Sequence, residues 1–209
     1  MEDFILGLLM VSRLTAYQIH IAIKTNYEGI CSSSIGNIQR ALKKLHEKGY
    51  ISLEETQEGK VLKKNFSITL EGRKRFMQWL SEPLDLLKVK NMEHGRMLLM
   101  GFLSKEKQME NINITISKYK EAYNYMKSIE EDYKKLSKEE INSIVCKQYE
   151  ENKEELDKTI SFVGKEDHFD LFANIRKYSA ATLKLGIDEI EFSLKWFENF
   201  KKELEKEME

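Results

Sequence analysis

Ser34, Asn37, Gln39, Arg40, Lys43 and Lys44 crowd one short stretch and bring together hydroxyl, amide, guanidinium and ammonium groups. These side chains suit recognition of a polyanion. Ammonium groups meet phosphates, while amide and guanidinium groups reach base edges or phosphates. Nothing else in the chain competes as a chemical site. His20, His46, His94 and His168 are scattered, and Cys31 and Cys146 lack metal-ligand spacing. No glycine-rich phosphate loop is present, and the many carboxylates fall on solvated helix faces. The expectation is a protein that is not an enzyme, with no cofactor and no metal.

The elements that hold those groups follow from the apolar residues between them. Ile35, Ile38, Leu42 and Leu45 are spaced three, four and three apart, which puts them on one helical face. The polar set lies off that stripe. Ser32, Ser33 and Ser34 are good caps for the helix start, and Gly49 suits its end. Two helices are expected upstream: an apolar one over Phe4 to Val11, and one capped by Thr15 that carries Tyr17 and ends near Asn26 and Gly29. Downstream the period shortens to two. Ile51 and Leu53, then Leu62, Phe66 and Ile68, alternate with polar residues on either side of a turn at Thr56 to Lys60. Thr69 caps a further helix with Phe76, Trp79 and Leu80 on its apolar side.

Three helices and a hairpin make a winged helix-turn-helix, whose third helix enters the major groove while the hairpin touches flanking backbone. Pro83, the single proline, opens a connector to about Lys90. The pattern is helical from there on. Met109, Ile112, Ile116, Tyr119, Tyr123, Met126, Ile129, Tyr133 and Leu136 mark a helix of roughly 30 residues. Ser137 and Glu140 form a capping box for the next helix. A loop around Gly164 to Asp167 precedes a last helix from His168 to about Glu207. The fold class is mainly α with a small β-hairpin: a winged-helix DNA-binding domain over 1–83, and a helical dimerisation and effector domain over 84–209. Stripes this long need a partner subunit to cover them.

With 209 residues, 41% apolar and 33% charged, the chain suits a globular protein with a sizeable core. The formal net charge of −1 divides unevenly. Up to Pro83 there are 12 basic residues against 9 acidic ones, and beyond it 22 against 26. The mildly basic front half fits a nucleic-acid partner without requiring one. The run Phe4 to Val11 is too short for a membrane span and has no basic start, so the reading is cytoplasmic, with no membrane and with reduced thiols.

The chain resembles the PadR family of bacterial transcription regulators. The likeness rests on Ile5-Leu-Gly-Leu-Leu9, Thr15-Ala-Tyr-Gln-Ile19, Ser34-Ile-Gly-Asn-Ile38 with Ala41, Leu42 and Leu45, and Glu47-Lys-Gly-Tyr-Ile51. It continues through Phe66-Ser-Ile-Thr69 and Glu71-Gly-Arg73 to Leu183-Lys-Leu-Gly-Ile187 and Trp196. Gln39 stands where the family commonly has tyrosine, Asn37 where it has serine or threonine, and the basic wing tip is reduced to Gly59-Lys60 with Lys63 and Lys64. The resemblance implies double-stranded DNA as partner and a homodimer joined by the last helix, with Leu183, Ile187, Ile190, Leu194, Trp196 and Phe197 as candidate dimerisation residues. It also implies repression relieved by a small aromatic or drug-like effector.

Candidate DNA contacts are Ser34, Asn37, Gln39, Arg40, Lys43 and Lys44, with Lys60, Lys63 and Lys64 on the wing and Tyr17 as either core or phosphate contact. A charge cluster alone usually means a solvated helix face; the hairpin and the resemblance favour the DNA reading. The tyrosine and methionine stripe from Met109 to Leu136 is helix-packing core more readily than an effector pocket. Cys31, just before a helix start, stands where thiol pKa is lowered, although an inert thiol is the simpler reading. The alternatives are a winged helix that binds protein instead of DNA, and a scaffold whose long helices do the work.

Overall fold

The computed structural model describes residues 1–27, 31, 34–58, 61–84 and 92–206. Helix α1 (Glu2–Leu9) has Glu2 and Asp3 in its first turn, where the helix dipole favours negative charge. Strand β1 (Leu14–Thr15) leads into α2 (Ala16–Asn26). The Thr15 hydroxyl accepts the Gln18 N–H at 3.2 Å, and the Thr15 N–H donates to the Gln18 side chain at 2.8 Å. This capping box fixes the turn into the helix.

Helix α3 (Ile35–Glu47) buries Ile38, Ala41, Leu42 and Leu45. Ile35, expected on that stripe, is 42% exposed. It belongs to the first turn, and Ala41 takes the fourth buried place one turn further in. After Lys48, Gly49 turns to φ +71°, a conformation costly for residues with a Cβ. The Gly49 N–H donates to the His46 carbonyl and the Tyr50 N–H to the Leu45 carbonyl, each at 2.9 Å, closing α3 with a Schellman motif.

Strands β2 (Ile51–Glu58) and β3 (Val61–Ile68) pair antiparallel from Ile51↔Ile68 to Glu58↔Val61. The turn is therefore tighter than expected, since Thr56 to Glu58 belong to the ladder. Gly59 and Lys60, like Gly29, Ser32 and Ser33, lie outside the described residues. β1 pairs with the other edge of β3, Leu14↔Phe66 and Thr15↔Asn65, so β3 is central in the order β1-β3-β2.

In α4 (Leu70–Leu80) the Thr69 hydroxyl accepts the Gly72 N–H at 3.1 Å, as its capping role requires. Phe76 packs on the core, but Trp79 and Leu80 are exposed, and the buried positions are Gly72 and Arg73. Gly72 is there because nothing larger fits. A Cβ would stand 2.0 Å from the Tyr50 carbonyl oxygen, which is held by the Thr69 N–H at 3.0 Å. Gly72→Ala should therefore destabilise the protein by ~3 kcal/mol, as overpacking against immovable backbone does. Urea unfolding should show the midpoint falling; an unchanged midpoint would mean α4 can slide.

The remaining helices are α5 (Met92–Leu98), followed by a 3-10 turn over Met100–Phe102, then α6 (Lys105–Lys135), α7 (Lys138–Glu151), α8 (Lys153–Val163) and α9 (His168–Lys206). The Ser137–Glu140 capping box forms in both directions, at 2.8 and 3.2 Å. The helix it starts ends at Glu151, and α8 follows after Asn152, which caps it without a side-chain hydrogen bond. Among the described residues no helix is long and apolar enough to cross a membrane.

Two compact units result. One contains Met1–Leu84 with Ser143–Leu171, the other Asp85–Asn142 with Phe172–Glu209. A single cut after residue 83 would place Ser143–Leu171 in the helical domain; in the fold it joins the winged helix. The first unit's core is built from Ile5, Leu6, Leu9, Ile19, Ile23, Ile38, Leu42, Leu45, Ile51 and Ile68, with Phe162 and Val163 of α8 packed against it. In the second unit α6 and α9 run antiparallel. Tyr119 stacks on Phe197 at 5.6 Å and Lys120 pairs with Glu198 at 3.0 Å, while Met126 reaches Gly186. Ile112 and Ile116 are buried there, so the α6 stripe packs helices.

Candidate nucleic-acid interface

Once Ile38, Ala41, Leu42 and Leu45 are committed to the core, the polar groups of α3 have one direction left. Ser34, Gln39, Arg40, Lys43 and Lys44 are exposed and Asn37 is half-buried. Ser34 occupies the N-cap but its side chain makes no capping bond. The Arg40 guanidinium folds back along the helix, donating to the Asn37 side-chain oxygen and, at 3.4 Å, to the Gly36 carbonyl. β2 packs against α3, and the next strand carries Lys63 and Lys64, both exposed. Tyr17 is 67% exposed, with its ring 6.1 Å from His20, so it lies on the surface of α2 and outside the core. Lys60 lies outside the described residues.

Several of these cations already have carboxylate neighbours. Lys43 pairs with Glu47 at 3.8 Å, Lys44 with Glu2 at 3.6 Å, and Lys64 with Glu55 across the ladder at 3.1 Å. Lys48 shares Glu2 at 3.1 Å. It was not singled out in the sequence, although it follows Lys44 by one helical turn. Burial pushes the Glu2 carboxyl up, but Lys48 and Lys44 outweigh it and hold it below its ordinary value. Exposed pairs of this kind are worth at most ~1 kcal/mol, so phosphates can displace the carboxylates. Meanwhile the pairs hold the ammonium groups near the surface that would meet a backbone.

An open groove of about 720 Å³ lies between the start of α1 and α3, lined by Glu2, Cys31, Asn37, Arg40 and Lys44 among others. Cys31 packs partly against the core, and burial pushes its thiol up. This is opposite to the lowering expected beside a helix start. Among the described residues no cluster of three metal-ligating side chains occurs.

On α9, Ile187 is buried within its own chain, and Leu183, Ile190, Leu194 and Phe197 are half-buried. Trp196 is exposed and stacks on Phe200 at 5.2 Å. Trp196 also belongs to a second row, of which the sequence pointed to no other member as a dimerisation residue. Ile175, Tyr178, Leu185, Phe192 and Trp196 are all exposed. With Thr182 and Glu189 they repeat at alternating steps of three and four, the spacing of a coiled-coil seam.

The helix order, the three-stranded sheet and the exposed face of α3 define a winged-helix protein. Residues 10–84 match the model of the family described as winged helix DNA-binding domain. The whole chain has the fold of the PadR regulators. It superposes on Bacillus subtilis PadR in complex with operator DNA with a TM-score of 0.66 at 17% identity, covering 97% of this chain and 98% of that one. The p-coumaric acid complex of the same protein gives 0.64 at 18%, covering 98% of both chains. The Vibrio cholerae virulence activator AphA gives 0.62 at 16%, covering 98% of this chain and 97% of that one. No curated protein sequence matches the chain.

Proposed function

We propose that this protein is a homodimeric, sequence-specific DNA-binding transcriptional regulator of the PadR type, acting in the cytoplasm as a repressor that a small aromatic or drug-like ligand releases from its operator. The observation that carries the reading is the α3 face. Its apolar side is spent in the core, and its exposed side offers Ser34, Gln39, Arg40, Lys43 and Lys44 beside a hairpin bearing Lys63 and Lys64. Lysines then hold the phosphates and fix register, while Asn37, Gln39 and Arg40 read base edges. An amide pairs in bidentate fashion with adenine, so Asn37 and Gln39 select differently from serine and tyrosine.

A two-fold dimer places two copies of α3 in successive major grooves. The operator is then a pseudo-palindrome with half-site centres ~10 base pairs apart, or a multiple of that. The exposed apolar row of α9 supplies a self-complementary seam for the dimer. Ligand control is supported by the fold shared with a protein crystallised with operator DNA and with p-coumaric acid. The ligand acts by preferring a different placement of the two wings.

The test is a mobility shift with fragments from upstream of the protein's own gene, titrated with salt. Specific retardation whose logarithmic affinity falls linearly with log salt is expected. No retardation of any upstream fragment would sink the reading and favour a protein partner for the winged helix.

A further inference from the structure

Glu155 is a buried carboxylate in a helix far along the chain, and none of the proposed DNA contacts uses it. It is 4% exposed, as is Arg73 of α4, its partner 82 residues away; the Arg73 guanidinium donates to it at 2.9 Å. The same guanidinium donates to the Thr159 hydroxyl, which in turn donates to the Met10 carbonyl at the end of α1. The other oxygen of Glu155 accepts from Arg13 at 3.2 Å and from Lys158 at 3.4 Å. Arg13 stands just before β1 and reaches further, to Glu154 at 2.6 Å and to Glu54 of β2 at 3.4 Å. Beside this polar hub Leu156 is buried, and Phe162 and Val163 pack against the winged-helix core.

We infer that α8 is a working part of the DNA-binding unit and that Glu155 positions the wing. The path is short and continuous: Glu155 fixes Arg13, Arg13 fixes Glu54, and β1 and β2 flank the central strand β3. Burial pushes the Arg73 guanidinium down and Glu155 opposes that shift, so removing the Glu155 charge while α8 stays seated leaves a buried cation without its counter-ion. Gly164, at φ +66°, ends α8, and only Lys165 to Asp167 separate it from α9. A displacement at the start of α9 is therefore passed to α8, and through Glu155 and Arg13 to Glu54 on β2. This rests on the DNA-binding reading only for its consequence at the operator.

Two full-length variants test it by backbone amide exchange and by affinity for the upstream fragment. Glu155→Gln keeps the shape and removes the charge. Arg13→Gln removes the guanidinium that joins Glu54 to Glu154 and Glu155 and leaves the Arg73–Glu155 pair in place, so it remains informative should the first variant fold poorly. Arg13→Gln is expected to raise exchange about tenfold in β1 and β2 while α8 stays protected, and to weaken fragment binding several-fold. Glu155→Gln is expected to raise exchange in α8, β1 and β2 together, about a hundredfold, and to weaken binding at least tenfold. Wild-type exchange in β1 and β2 of Arg13→Gln overturns the inference, as does faster exchange there with unaltered affinity for the fragment. If the wild-type protein binds no fragment, the DNA-binding reading fails and the exchange rates alone decide whether α8 holds the wing.

Discussion

Replacing Arg40, Lys43 and Lys44 together by alanine should abolish detectable operator retardation at moderate salt, with a loss of at least ~10³-fold in affinity, and leave the fold intact. The three side chains are exposed, and the ion pairs of Lys43 with Glu47 and of Lys44 with Glu2 are weak surface contacts, so stability should shift by only ~0.5 kcal/mol. Binding is another matter. In a two-fold dimer each lysine appears twice, and every phosphate contact contributes ~0.9 to the logarithmic salt slope. Losing Lys43 and Lys44 should flatten that slope by ~4. Arg40 is expected to differ in kind, since a bidentate arginine is worth ~1–3 kcal/mol at a single base pair. Arg40→Ala alone should relax sequence preference more than it changes the slope. Circular dichroism, analytical sedimentation and a salt titration on one operator fragment separate these effects. Unchanged affinity and slope in a folded, dimeric triple variant would remove α3 from the interface.

The legible parts of this molecule are those in which a local pattern decides a local outcome. The α3 stripe, its Gly49 terminus, the Thr15 and Thr69 caps and the Ser137–Glu140 box each follow from residues within one or two turns. Misread positions depend on neighbours distant in sequence. Ile35 fits the helical period but sits in the first turn, beyond the reach of the core. β1 is two residues long and carries no period; it exists because β3 offers it an edge. Glu155 lies in a run of charged residues that looks solvated, and only its meeting with Arg73 and Arg13 explains why it is buried. The exposed polar face of α3 was legible because a helix with one apolar side has its polar side assigned by elimination. The exposed row of α9 was not, because two apolar stripes wind round the same helix and the sequence does not say which one its own chain covers.

That ambiguity is what the second large effect resolves. Phe192 and Trp196 are neighbours on the exposed row, 70% and 43% accessible, while Ile187 on the other stripe is already buried within its own chain. If the seam joins two copies, Phe192→Glu with Trp196→Glu places four carboxylates in a two-fold interface. Buried aromatic anchors cost at least ~2 kcal/mol each when lost, and symmetry counts each twice, although such terms do not add fully. Even half of that sum, ~4 kcal/mol, raises the dimer dissociation constant ~10³-fold. Sedimentation equilibrium should show a dimer for the parent chain and a monomer for the variant at micromolar concentration, with helix content preserved. Operator affinity should collapse with it, because two half-sites read by separate monomers no longer share one binding event. Ile187→Ala is the discriminating control. It leaves a cavity in a packed helix pair and should lower stability by ~2–4 kcal/mol, within the range for core truncations, without shifting the dimer constant comparably. The reverse result, a dimer that survives the double glutamate but dissociates with Ile187→Ala, would move the interface to the stripe of Leu183, Ile190 and Leu194 and require α6 and α9 to part when the dimer forms.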